Sequence, residues 1–461
     1  MNLAEMLSYA DIHQLNRIAR HYACECNTNS KRELIQSILN KVNRKDVFER
    51  YVEELTVEDI RFLNSLAFDQ RDAFSLEELL ARAQISRYEA AGPTTVGGRP
   101  QERSDILSTV TVDLRRADEP PSASKPKARA RSKSAKTSVE LNGGAAGDAS
   151  SAGTPNEPRA DAKARSADAE TGRESRWSPR ETIVKFAHQG WLFNGYSQQT
   201  KYLYQVPADL KRRFGDSLEK AFLKRVRYTG EPPVYRDEQR LLSEDIGRFL
   251  RYLNGRPAEL NAEGAMYKRT QQAILDELNV KEELVGKGGW RFGYGRRIKE
   301  YPNRFSLLYD YCFYNGLIEE TDGSLALTEE GEAHVAQGKQ ADPGAIYQFW
   351  LKLYKNPIHN LQSIVHWIER LATDWATLDS LADALKPLIK PFYYDTPDSI
   401  FRHRIVLMMM HQGLLRIGET PEDGAVVVMT KLGSSIVRGV YVPEEEKIAL
   451  PDDDEPARQG R

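Results

Sequence analysis

Between Ala10 and Ala23 the apolar positions Leu15, Ile18, Ala19 and Tyr22 fall three or four residues apart, the spacing of one buried helix face. Ser30-Lys31-Arg32-Glu33 has the form of a capping box, and Leu34, Ile35, Ile38 and Leu39 carry a second helix away from it. Val57–Phe68 and Leu76–Ala83 repeat the helical pattern. Thr56 and Ser75 stand as their N-caps, with Asp59 and Glu78 three residues on. A small helical module over residues 1–90 follows.

The pattern then stops. From Ala91 to Ser175 there is no Phe, Trp or Tyr, and Ala, Ser, Gly, Pro and charge dominate. Such a stretch cannot bury enough apolar surface to offset the entropy of ordering, so residues 91–175 are predicted to be a disordered linker. Only Ile106 to Leu114 has strand-like density. Core composition returns over 176–442. Residues 443–461, with Glu444-Glu445-Glu446 and Asp452-Asp453-Asp454-Glu455, are predicted to be an acidic disordered tail.

Within 176–442 one pattern occurs three times: His188-Gln189-Gly190-Trp191-Leu192, Tyr314-Asn315-Gly316-Leu317-Ile318 and His411-Gln412-Gly413-Leu414-Leu415. Each follows an apolar helical segment. A glycine at the helix C′ position takes the left-handed conformation that ends the helix. A strand, a turn carrying Asp322-Gly323 or Asp423-Gly424, and a second strand come next. The second and third copies close on Thr328-Glu329-Glu330-Gly331 and Thr430-Lys431-Leu432-Gly433, where the Thr caps another helix. The first copy lacks this ending and leaves its second strand through Pro207, which suits a first helical turn. An unrelated helix–hairpin–helix would account for one copy. Two copies with matched ends favour the C-terminal half of a winged helix. The fold class is therefore mainly α with small antiparallel β wings: a helical module, a linker, a first winged-helix-like and helical region (176–300) and tandem winged-helix repeats (301–442).

Three segments together resemble a bacterial helicase-associated domain family similar to the N-terminal region of XPB-type DNA helicases. They are His188 to Phe214, Asn254 to Gly264 leading into Met266 to Leu278, and Tyr301 to Gly331. The resemblance covers roughly residues 176–440 and implies an association with DNA transactions, without supplying a motor. The helix pair Ala10 to Leu39 resembles SAP-like and Rho N-terminal modules, which bind nucleic acid. If that resemblance holds, Arg17, Arg20, Lys31 and Arg32 are its contact residues.

Charge sharpens the picture only locally. The chain has 461 residues and a formal net charge of −2, so it is not a uniformly polybasic binder. The sharpest stretch runs from Lys287 to Arg304, where Lys287, Arg291, Arg296, Arg297 and Arg304 alternate with Trp290, Phe292, Tyr294 and glycines. The cations could neutralise phosphates while the rings stack on bases. The alternative is a loop whose aromatics pack on the core. Recognition helices are placed at about Asn303–Asn315 and Asp398–Gln412. The first would expose Arg304, Ser306 and Asp310, and the second would present Arg402, His403 and Arg404, with Met408-Met409-Met410 as core. The run Leu210 to Arg227 holds Lys211, Arg212, Arg213, Lys220, Lys224, Arg225 and Arg227, either as a solvated face or along a phosphate backbone. Lys125, Lys127, Arg129, Arg131, Lys133 and Lys136 cluster in the linker.

Catalytic chemistry is not indicated. Gly286-Lys287-Gly288-Gly289-Trp290 has the wrong spacing for a phosphate-binding loop and no following Ser or Thr. His21, Cys24 and Cys26 lack a second ligand cluster nearby, so no metal and no other cofactor is expected. Three cysteines do not make a disulfide framework, and no apolar run reaches a membrane span. The reading is a cytoplasmic, non-enzymatic DNA-binding or DNA-associated protein, nucleoid-associated if it binds DNA. The alternative is an interaction scaffold that recruits a helicase or another DNA-processing protein.

Overall fold

The computed structural model describes residues 1–88, 178–286, 293–321 and 323–443, together with 446 and 448. The predicted linker, its basic cluster, Ile106–Leu114 and most of the acidic tail lie outside the described residues.

Short polar caps start the N-terminal helices. Asn2 and Glu5 form a reciprocal capping box on α1 (Leu3–Tyr9), and Asp11 caps α2 (Ile12–His21). Ser30 caps α3 (Lys31–Val42), and α4 (Lys45–Glu53) follows. Thr56 and Asp59 box the start of α5 (Val57–Ala67). A two-residue strand β1 (Ala73–Phe74) leads to α6 (Leu76–Ser86), capped by Ser75. Helices α1 and α4 go beyond the elements that the apolar spacing predicts. After residue 177 come α7 (Pro179–His188), β2 (Phe193–Asn194), β3 (Tyr204–Gln205) and α8 (Ala208–Leu223), whose helical turns begin just after Pro207.

A separately tethered N-terminal module is not what forms. Residues on both sides of 89–177 make one compact unit with one core. Phe74 pairs with Tyr204 and Ala73 with Gln205, so β1 becomes the third strand of the β2–β3 sheet. A two-residue hairpin is too short to hold itself in water, and the added strand and helices stabilise it. Phe62 stacks on Phe186 at 5.2 Å, and Trp191 sits among Phe48, Tyr51 and Phe214. The Tyr51 hydroxyl donates to the Gln189 side chain at 2.6 Å. At the other end of the chain the Tyr441 hydroxyl donates to Asp69 at 2.7 Å, which Arg82 also holds at 2.6 Å.

The remainder is β4 (Val234–Arg236), α9 (Leu241–Leu253), β5 (Ala258–Glu259), α10 (Lys268–Glu277), α11 (Asn303–Tyr314), β6 (Ile318–Thr321), β7 (Ser324–Leu327), α12 (Glu329–Ala336), α13 (Pro343–Tyr354) and α14 (Leu361–Leu371). There follow β8 (Ala376–Thr377), α15 (Leu378–Leu385) and α16 (Pro397–Ser399), which runs through a π-wound stretch (Ile400–Val406) into α17 (Leu407–His411). Strands β9 (Leu415–Thr420) and β10 (Gly424–Met429) and helix α18 (Lys431–Gly439) complete it.

One arrangement recurs: helix, short strand, helix, third helix, hairpin. The sets are α5-β1-α6-α7-β2-β3, α9-β5-α10-α11-β6-β7 and α14-β8-α15-α16/α17-β9-β10. In every sheet the short strand pairs with the second hairpin strand, giving the orders β1-β3-β2, β5-β7-β6 and β8-β10-β9. Strand β4 adds to the free edge of β9. In the first set, residues 89–177 fall between the second and third helices.

The hairpins are closed by one clasp. Gly190, Gly316 and Gly413 have φ of +75°, +65° and +71°. The next residue's N–H returns to the helix, as in Trp191 to Phe186, Leu317 to Cys312 and Leu414 to Met409. In the second and third sets a threonine completes it. The Thr430 hydroxyl donates to Gly413 O at 2.9 Å and accepts from Gly433 N at 2.8 Å, and Thr328 does the same between Gly316 and Gly331. The closing glycine is needed because the helix start presses on the hairpin base. A Cβ on Gly331 would sit 2.0 Å from Leu317 O, and one on Gly433 1.9 Å from Leu414 O.

Gly331→Ala and Gly433→Ala should therefore each lower stability by roughly 1–3 kcal/mol through overpacking. Gly439→Ala, with open space around it, serves as the control. Urea midpoints read the effect, and unchanged midpoints in both clasp variants would contradict the account.

Candidate nucleic-acid interface

The third helix of the second and third sets is the element expected to present basic residues outward. Its surroundings decide whether it can. Helix α11 is apolar or aromatic on nearly every side, and residues 304–312 are all buried. Phe305 meets Phe249 edge-on at 5.4 Å from one side, and Tyr311 meets Phe349 at 5.5 Å from the other. Residues 407–411 of α17 are likewise buried, with Met408, Met409 and Met410 in the core. The exposed face expected at Arg304, Ser306 and Asp310 does not exist.

Arg304 is fully buried because its charge is consumed inside. Its Nε donates to Glu238 at 3.0 Å and its guanidinium pairs with Asp245 at 2.7 Å. Glu238 also receives Arg236 at 2.6 Å and lies 3.2 Å from His411 Nδ1. Burial opposes ionisation of Glu238, but His411, Arg304 and Arg236 outweigh it and hold its pKa at about 2. The Glu282 carboxylate caps α11, accepting from Arg304 N at 3.0 Å and Phe305 N at 2.8 Å. The network thus ties the third helix of the second set to that of the third. Removing one partner from a buried pair of this kind costs about 3–5 kcal/mol.

Arg296 and Arg297 are also committed. Both clamp Glu320, at 2.8 and 2.7 Å, and the Tyr309 hydroxyl donates to the same carboxylate at 2.6 Å. Burial works against the charge on Glu320, yet these donors bring its pKa down to about 2. Beside them Asp310 is fully buried. It accepts the Arg296 N–H at 3.1 Å, and burial raises its pKa to about 7.

Tyr294 is not a stacking platform. It is buried, donates to Asp395 at 3.0 Å and packs edge-on against Tyr354 and Phe392. Arg404 donates to the same Asp395 at 2.9 Å. Arg402 pairs with Asp379 at 2.7 Å and Asp398 at 2.9 Å. His403 is half-buried, and burial followed by the Arg404 charge lowers its pKa. Lys287 and Arg291, with Trp290 and Phe292, lie outside the described residues.

The basic run of α8 divides. Lys211 is buried, donating to the carbonyls of Asp69 and Arg71, and Arg213 donates to Val42 O at 2.7 Å. Lys220 pairs with Glu49, whereas Arg212, Lys224, Arg225 and Arg227 are exposed.

The N-terminal pair behaves differently. Leu15, Ile18 and Ala19 take the inner face of α2, which leaves Arg17 and Arg20 exposed. Lys31 and Arg32 are exposed in the first turn of α3, which packs on α2. None of the four has an ion pair or side-chain hydrogen bond among the described residues. Among those residues no group of three or more His, Cys, Asp or Glu is placed to hold a metal, and no helix is long and apolar enough to cross a membrane.

Asp310 generates a pH test. Its folded pKa lies above the ordinary carboxyl value, so its contribution is fully present below about pH 4 and is lost as pH rises to about 7. Asp310→Asn should be more stable than the parent at pH 8, by up to a few kcal/mol, with the advantage shrinking toward pH 4. Paired urea titrations at the two pH values would contradict this if the difference were constant.

No protein-family model matches the chain, and no curated protein or solved structure matches it.

Proposed function

We propose that the chain is a non-enzymatic, nucleic-acid-associated protein made of three winged-helix units. The common element order and strand order of the three sets support the winged-helix reading. The resemblance to the helicase-associated family supports the association with DNA. The units form a self-packed body, because their third helices in the second and third sets are interior. Contact with phosphates falls to Arg17, Arg20, Lys31 and Arg32 on α2 and α3. The observation that carries this is their freedom. The basic residues expected on the second and third units, Arg296, Arg297, Arg304, Arg402 and Arg404, are each held by carboxylates, while these four are exposed and unengaged among the described residues. Such a face grips the backbone without reading bases. The site of action would be cytoplasmic, at the nucleoid.

A second reading, a scaffold recruiting a helicase or other DNA-processing protein, is favoured by the same burial, which removes the usual groove-reading helices.

The test is binding of the full chain to labelled duplex and single-stranded DNA across a salt series. Four phosphate contacts give a log–log salt slope of about −3 to −4 on duplex. Replacing Arg17, Arg20, Lys31 and Arg32 by Glu should abolish binding and leave the unfolding midpoint near the parent's. Binding that survives the fourfold substitution, or no binding at low salt, would overturn the reading.

A further inference from the structure

A groove of about 550 Å³ runs between α4, α5, α8 and the turn after α15. Its floor is apolar: Val52, Leu218, Phe222 and Leu388 are buried there, and Ile60 is half-buried. Val57, the first residue of α5, stands 44% exposed at its mouth. The charged groups lining it are Lys45, Lys220, Lys224 and Arg225 against Glu49 and Glu53, four cations to two carboxylates. Lys220 spends its charge on Glu49 at 2.8 Å. Lys45, Lys224 and Arg225 are exposed and make no ion pair among the described residues.

We propose that this groove is the docking site for an acidic amphipathic helix of a partner protein. A concave apolar floor asks for leucine-like side chains at i, i+3, i+4 and i+7 spacing. The surplus of positive charge at the rim asks for carboxylates on the flanks of that helix. Nucleic acid fits less well, because Glu49 and Glu53 repel phosphates and, among the described residues, no aromatic ring at the rim offers a base a stacking face. The groove stands on residues other than Arg17, Arg20, Lys31 and Arg32, so the phosphate-contact proposal and this one fail separately.

The test uses the full chain and fluorescence anisotropy with two labelled probes. One is a helical peptide of Glu and Asp carrying Leu at i, i+3, i+4 and i+7. The other has the same charge with Ser at each Leu. The Leu peptide should bind at least about tenfold more tightly than the Ser peptide. Lys224→Glu with Arg225→Glu should weaken it about tenfold. Val57→Asp should do the same while keeping the helix, since an acid in a first turn suits the helix dipole. Equal binding of the two peptides would overturn the proposal even if a variant failed to fold. Absence of peptide binding would also overturn it. So would a duplex DNA probe that displaces the peptide and loses its own binding in the Lys224/Arg225 variant, which would make the groove a nucleic-acid surface.

Discussion

A hairpin with two-residue strands cannot stand alone in water, and β2–β3 is such a hairpin. It persists because β1, from the far side of residues 89–177, supplies its third strand. That pairing brings α5 and α6 onto α7 and places Phe62 against Phe186. The same requirement acts in the other sheets, where β5 and β8 complete hairpins that follow much later in the chain. The order of elements along the chain therefore dictates a common core: a short strand and two helices must wait for the third helix and its hairpin.

Packing the sets together has an electrostatic consequence. The third helices of the second and third sets become interior, so the charges on them and on the segment leading into α11 must be neutralised locally. Glu238 and Asp245 do this for Arg304, Glu320 for Arg296 and Arg297, and Asp395 for Arg404. Each carboxylate is fixed in turn by hydrogen bonds from neighbouring elements, so the cations act as joints between helices. The basic residues left outside include those of α2 and α3 and the rim of the groove between α4 and α8.

Much of this was legible in the sequence where a residue has a single conformational job. Gly190, Gly316 and Gly413 announced their helix ends through the left-handed backbone they adopt, and Thr328 and Thr430 announced the helix starts. The mainly helical composition with small antiparallel sheets followed from those signals. Strands β1, β5 and β8 are two residues long and too short to leave a periodic pattern, so the partner that joins residues 1–88 to the rest stayed hidden. The aromatic-poor stretch from Ala91 to Ser175 reads as a domain boundary, although a change of composition says nothing about which strands pair across it. Arg296, Arg297 and Arg304 look like a binding face in the sequence because their carboxylate partners lie 23 to 66 residues away. The signal that could have warned of this is the run of apolar and aromatic residues on nearly every side of α11, which marks a helix enclosed by its neighbours.

The central claim, that residues before and after 89–177 build one unit, is tested most directly by cutting the chain between them. A specific protease site placed between Gly143 and Gly144 allows this without touching the described residues. After cleavage the two fragments should elute together in size-exclusion chromatography and separate only in denaturant. Fragments that part under native conditions, each folded, would contradict the account.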